Sequence, residues 1–192
     1  MTGYCSGKSL NFSDFNSRYS IIWFIFESSM ENREQIKRIE SFLKQVVVGE
    51  LGKLQHAGLS YMQFVLMGQA IEVLGGFFDS KPMKAKGQSS RRFSAGVRYL
   101  LGGRYRLLNE NDYLYDKLRN QMTHTFIPAK DLLLLNRSEN VSGYAHLDVV
   151  QGRLVMISED FYQDICLAAE RLLKILEEGR LKPKNIVFGD DE

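Results

Sequence analysis

The stretch from about Ser60 to Phe78 constrains the fold of this chain more than any other. Met62, Phe64, Val65, Leu66, Ile71, Val73 and Leu74 spread almost all round a helical wheel instead of forming one stripe. A helix without a polar face has to be covered on nearly every side. It belongs at the centre of a helical bundle or at an interface between subunits.

The remaining periodic segments supply the cover. Ile36, Ile39, Phe42, Leu43, Val46 and Val47 recur at spacings of three and four, which predicts an amphipathic helix over roughly 31–48. Gly49, Gly52 and Gly58 weaken the helical tendency of the next ten residues. Phe93, Val97, Leu100 and Leu101 predict a helix over 92–101 that ends at Gly102-Gly103. Another runs from about Asn111 to Thr125, with Pro128 just beyond it. Ser158 is placed to cap a last helix that carries Phe161, Ile165, Leu172, Leu173, Ile175 and Leu176, with Glu159 and Asp160 in its first turn. Gly75-Gly76 is expected to fray the central helix, and Lys81-Pro82 to stop it. Between the last two helices lies the short apolar run Leu132 to Leu135. After it, residues 146–150 and 154–157, joined by Gln151-Gly152-Arg153, read as a β-hairpin. The expected fold class is all-α: a bundle of four to five helices with a short inserted β-hairpin.

A chain of 192 residues is one domain on size, here 30–180, with a solvated tail over 181–192. Residues 1–29 read as a poorly ordered extension, upstream of a natural start at Met30. Within it, Ile21 to Phe26 is an apolar run of six residues, against the ~20 that a membrane span requires. No membrane association is expected. Cys5 and Cys166 are too far apart in sequence to suggest a disulfide framework or a metal site, and a reducing, cytoplasmic setting fits them. Neither Gly49-Glu50-Leu51-Gly52 nor Gly102-Gly103 follows a strand or carries the Lys-Ser/Thr of a phosphate loop, so no cofactor is expected.

Charge is distributed unevenly. Between Lys81 and Arg106 stand eight cations and no acidic residue. Lys84, Lys86, Arg91, Arg92, Arg98 and Arg104 are the candidate RNA contacts, because each cation set on a phosphate releases condensed counterions. Phe93, Tyr99 and Tyr105 interleave with them and could stack on unpaired bases. The alternative is a solvated basic loop that balances acidic surface elsewhere.

One helix carries polar chemistry without an apolar reason for it. At about 100° per residue, Leu114, Leu118, Met122 and Thr125 fall within roughly 80° of one another and mark the core face. Asn120 and His124 lie one turn apart on the other side, and Arg119 sits at the boundary. His56 and His146 lack such company; His146 reads as a surface strand residue. The string Leu118-Arg119-Asn120-Gln121-Met122-Thr123-His124 resembles the signature of HEPN domains, an Arg and a polar residue followed after a short gap by His. The likeness covers about residues 31–180. It implies an all-α bundle that cleaves RNA without metal, with the motifs of two protomers meeting at a homodimer interface. Arg119, Asn120 and His124 match the family's Arg, polar and His positions and would be its catalytic residues. A histidine titrating near neutrality can move a proton at a ribose 2′-hydroxyl, and a guanidinium can hold the scissile phosphate. A toxin or phage-defence setting, with a separately encoded antitoxin or regulator, is part of what the family implies. Where some members carry a tyrosine two residues after the His, this chain has Phe126. The alternative reading is a non-catalytic module that binds RNA, nucleotide or protein.

Overall fold

The computed structural model describes residues 12–186, with side chains from Glu27 onward. Helix α1 (Phe12–Phe42) runs unbroken into a π-helical stretch, Leu43–Glu50, and then into α2 (Leu51–His56). Among the described side chains, Ile39, Leu43, Val47 and Leu51 are buried along it. They stand four apart, a spacing that drifts round an ordinary α-helix; the wider π winding keeps them in line. Helix α1 crosses Met30 without a break. Where the sequence suggested a poorly ordered extension, the backbone from Phe12 through Ser29 is helical. Residues 1–11, and residues 187–192 of the tail, lie outside the described residues.

Helix α3 (Ser60–Gly75) is the centre. Phe64, Val65, Met67, Ala70, Ile71 and Leu74 are buried along it, against α2, α4 (Ser89–Gly96), α7 (Ser158–Glu177) and the helix that carries Arg119. Phe64, Phe77, Phe93 and Phe161 are the largest fully buried side chains. Burial of each is worth about 1.5–3 kcal/mol.

Gly75 does not fray the helix. A β-carbon on it would lie 1.8 Å from the Arg92 carbonyl oxygen, and one on Gly96 2.4 Å from that of Ile71. The two glycines let α3 and α4 meet backbone to backbone, and the chain continues through a 3₁₀ turn, Gly76–Phe78. After α4 come a π-helical stretch (Val97–Leu101), α5 (Gly103–Leu108) and a 3₁₀ turn (Glu110–Asp112). The motif helix comes next as π-helical Tyr115–Gln121 and α6 (Met122–Thr125). Its buried residues Leu114, Leu118 and Met122 again stand four apart.

Strands β1 (Leu132–Leu135), β2 (Val149–Val150) and β3 (Arg153–Ile157) form one sheet in the order β1-β3-β2. The hairpin β2–β3 is antiparallel, with Val150 opposite Arg153. β1 is a strand the sequence did not announce. It pairs parallel to β3, Leu132 opposite Leu154 and Leu135 opposite Ile157. The protein is thus mostly helical, with a small mixed sheet. Ser158 opens α7 without capping it; its hydroxyl turns to the Glu159 carboxylate at 3.0 Å. Among the described residues no helix is long and apolar enough to cross a membrane.

Candidate functional site

The motif helix lies directly on α3. Gly68 makes this possible, since a β-carbon there would come within 3.3 Å of the Arg119 Cα. Arg119 is brought against Glu72, one turn further along α3, with Nε 2.6 Å from Oε2 and only 14% of its side chain exposed. The two atoms touch, yet neither meets the angular requirement of a hydrogen bond, so the attraction is coulombic. The Tyr115 ring sits 5.9 Å from the guanidinium carbon on its own helix. The terminal amino groups of Arg119 have no hydrogen-bond partner among the described residues.

Asn120 is half-buried and His124 exposed, and neither makes a side-chain hydrogen bond among the described residues. α6 ends at Thr125, one residue after His124, with Phe126 in the left-handed region at φ 56°. Several hydrogen bonds hold that turn: the Tyr61 hydroxyl donates to the Phe126 carbonyl, Gln121 Nε2 to that of Ile127 at 3.1 Å, Thr125 Oγ1 to that of Gln121 at 2.8 Å, and the Ile127 N–H to Thr125 Oγ1 at 3.1 Å. Tyr61, Met62 and Leu66 on α3 and Phe126 and Ile127 after α6 are exposed apolar residues, of which Tyr61, Phe126 and Ile127 adjoin the end of the motif helix. Four cavities of 190 to 650 Å³ are lined by residues other than Arg119, Asn120 and His124.

The six candidate RNA contacts part company. Lys84 and Lys86 are exposed in the loop before α4. Arg92 leaves the surface altogether: it is 4% exposed, so it is not placed to meet RNA. Its Nε donates to Asp79 Oδ2 at 2.7 Å, Nη1 to the Met83 carbonyl at 2.8 Å and Nη2 to that of Pro82 at 2.9 Å. Lys184 joins Asp79 from the C-terminal segment at 2.8 Å. Burial alone would raise the Asp79 carboxyl, but hydrogen bonds from Arg92, Lys184 and the Lys81 backbone outweigh it and hold the group well below the usual carboxylate range. Arg104 pairs with Asp148 at 3.0 Å. Arg91 and Arg98 remain exposed, on a cavity of about 530 Å³.

No protein-family model, curated protein or solved structure matches this chain.

The sequence reading missed a second polar centre. His146 lies in the turn before β2, with only 11% of its side chain exposed, and is not a surface strand residue. The Ile157 backbone N–H donates to its Nδ1 at 2.9 Å, which puts the proton of the neutral ring on Nε2, 2.8 Å from the Tyr105 hydroxyl. That hydroxyl donates to Asp164 Oδ2 at 2.7 Å. Burial lowers the His146 pKa, against the attraction of Asp164 and Asp160 and with the help of Arg104. Burial also lifts Tyr105 well above the usual phenol range, as does Asp164. The chain of groups is closed and each bond is used, so its chemistry is that of a structural lock. Its three residues are 41 and 18 positions apart along the chain, and no local pattern pointed to them. Among the described residues no group of three or more His, Cys, Asp or Glu is placed to hold a metal ion.

Proposed function

We propose that this chain is an HEPN-like, metal-independent endoribonuclease whose site is completed by a second copy. The observation that carries the reading is the posture of Arg119. Glu72 takes its Nε side and Tyr115 backs the guanidinium, while both terminal amino groups are left for an incoming phosphate. A guanidinium held this way can grip a phosphate bidentately and stabilise charge as it develops. His124, exposed at the end of the same helix, is free to take a proton from a ribose 2′-hydroxyl or to return one to the leaving 5′-oxygen. Asn120, one turn away, can orient the ring or the phosphate. The exposed apolar residues of α3 and of the turn after α6 give a second protomer a surface to cover. A homodimer would then bring two motifs together. A toxin or defence role, with a separate regulator, fits such an activity.

The second reading is a non-catalytic module that binds RNA or nucleotide. It is favoured by the Glu72 carboxylate, which neutralises Arg119, and by Arg91 and Arg98, which form no ion pair among the described residues and line the cavity at the C-terminal end of α3. Purified protein incubated with total RNA in EDTA separates the two. Cleavage by the wild type, reduced about 10²–10⁴-fold in His124→Ala, supports the nuclease. Intact RNA with the wild type, or equal cleavage by the variant, removes it.

A further inference from the structure

The C-terminal end of α3, the turn after it and the outer face of α4 enclose the 530 Å³ cavity. Its volume lies inside the range of about 300–1,000 Å³ typical of small-molecule sites. Phe78, Asp79, Lys81, Arg91, Arg98 and Tyr99 are the lining residues that matter. Three of its cations, Lys81, Arg91 and Arg98, are exposed and form no ion pair among the described residues. The one carboxylate, Asp79, is already occupied by Arg92 and Lys184, so it does not repel an anion. The floor is rigid for the same reason. Arg92 ties α4 to Asp79, Pro82 and Met83, and Lys184 ties Asp79 to the carbonyls of Gly76 and Lys81.

One wall is aromatic. The rings of Phe78 and Tyr99 stack at 4.8 Å and 21°, which fixes Tyr99 while it stays 53% exposed. Arg98 lies 5.5 Å from the Tyr99 ring centre, within cation–π distance, on a side chain long enough to slide aside. A cavity that pairs a held, exposed aromatic ring with free guanidinium groups suits a ligand that is flat and apolar at one end and carries a compact double negative charge at the other. Arg supplies a planar fork that matches phosphate, and a Tyr face accepts any base.

We propose that this cavity binds a nucleoside 5′-monophosphate unit, its base against Tyr99 and its phosphate between Arg91, Arg98 and Lys81. The unit is either a free nucleotide or the 5′-phosphorylated end of an RNA strand. The site stands apart from His124 and does not depend on cleavage.

The test measures binding to the whole chain carrying His124→Ala, so that RNA stays intact, with cleavage by the wild type scored separately. The probes are AMP, adenosine, inorganic phosphate and a short fluorescent oligoribonucleotide with either a 5′-phosphate or a 5′-hydroxyl. AMP should bind at least about tenfold tighter than adenosine or phosphate alone, and more weakly as salt rises. Arg91→Gln with Arg98→Gln should weaken AMP about tenfold or more, and Tyr99→Ala should weaken AMP while leaving phosphate unchanged. Both alter exposed side chains, so the fold, checked by circular dichroism, should persist. A 5′-phosphorylated strand binding well above both AMP and its 5′-hydroxyl twin identifies an RNA end; equal affinity for AMP and that strand identifies a free nucleotide. Binding of both probes that is indifferent to the Arg91/Arg98 pair overturns the proposal, as does AMP affinity no better than that of phosphate.

Discussion

The two ends of α3 use the same kind of sequence in opposite ways. At the C-terminal end, Gly75 lies under the Arg92 carbonyl and the apolar residues are sealed against α4. At the N-terminal end, Phe64 is sealed on one side against Phe161, at 6.4 Å between ring centres, while Tyr61, Met62 and Leu66 stay exposed and Tyr61 reaches the turn after the motif helix. A helix that is apolar all round signals that it will be covered. It does not say by what. One end is covered by the chain itself, and the other presents the surface on which a composite nuclease site would depend.

The sealed end should break most easily. Gly75→Ala forces a methyl group into backbone, which cannot rotate away, and should destabilise the protein by about 3 kcal/mol or more in urea unfolding. If the variant unfolds at the wild-type midpoint, the close α3–α4 crossing is wrong, and with it the rigid floor of the basic cavity.

Behind the N-terminal end, His146 stacks on Phe161 at 6.1 Å and closes the bond chain to Tyr105 and Asp164. His146→Ala would leave the Ile157 N–H buried without a partner and strip the Tyr105 hydroxyl of one contact, a loss of about 2–3 kcal/mol. Wild-type stability should respond to pH through the same residue. The folded pKa lies below the ordinary 6.5, so the fold favours the neutral ring. That contribution is complete above about pH 6.5 and is lost as the pH falls through the depressed folded value. Asp164, Asp160 and Arg104 face the ring and shape the shift, so the deciding quantity is the difference between wild type and His146→Gln across pH 5–8. Parallel curves for the two proteins would show that this ring does not titrate with folding.

Legibility in the sequence tracks the range of the forces involved. Helix periodicity is local, and it placed the central helix, the last helix and the motif helix within a few residues of their observed bounds. The core residues Leu114, Leu118 and Met122, and the exposure of His124, came from the wheel alone, while Thr125, placed on the same face, is exposed. Contacts distant along the chain stayed hidden. Arg91 and Arg92 are neighbours with equal charge, yet Asp79 and the carbonyls of Pro82 and Met83 make only Arg92 interior. Likewise β1 exists because β3 offers a parallel edge 22 residues away, not because four leucines demand a strand. Arg119, Asn120 and His124 stand together in the sequence, whereas the partners of His146, Tyr105 and Asp164, lie far from it along the chain.

The last turn of α3 gives a smaller effect. Glu72→Gln removes the charge opposite Arg119 in a mostly buried pair, and should reduce stability by about 1–2 kcal/mol. Under the nuclease reading it should also lower cleavage, because an unanchored guanidinium loses its orientation. Combined with Arg119→Ala, the stability losses should fall short of additive, since either change alone ends the interaction. Strict additivity would mean that the two groups, though in contact, do not support each other.

The smallest expected change in folding carries the sharpest functional contrast. Met62→Lys puts a charge on the outward face of α3, where the wild-type side chain is already 37% exposed. Folding stability of the lone protomer should move by no more than about 0.5 kcal/mol. A second copy seated on that face would have to bury the new ammonium group without a partner, which an interface does not tolerate. Sedimentation should therefore show a dimer in the wild type and a monomer in the variant, with RNA cleavage lost in proportion. The same mass for both proteins, with cleavage retained, would mean that the open end of α3 is merely solvated and that any chemistry at His124 is carried by one chain.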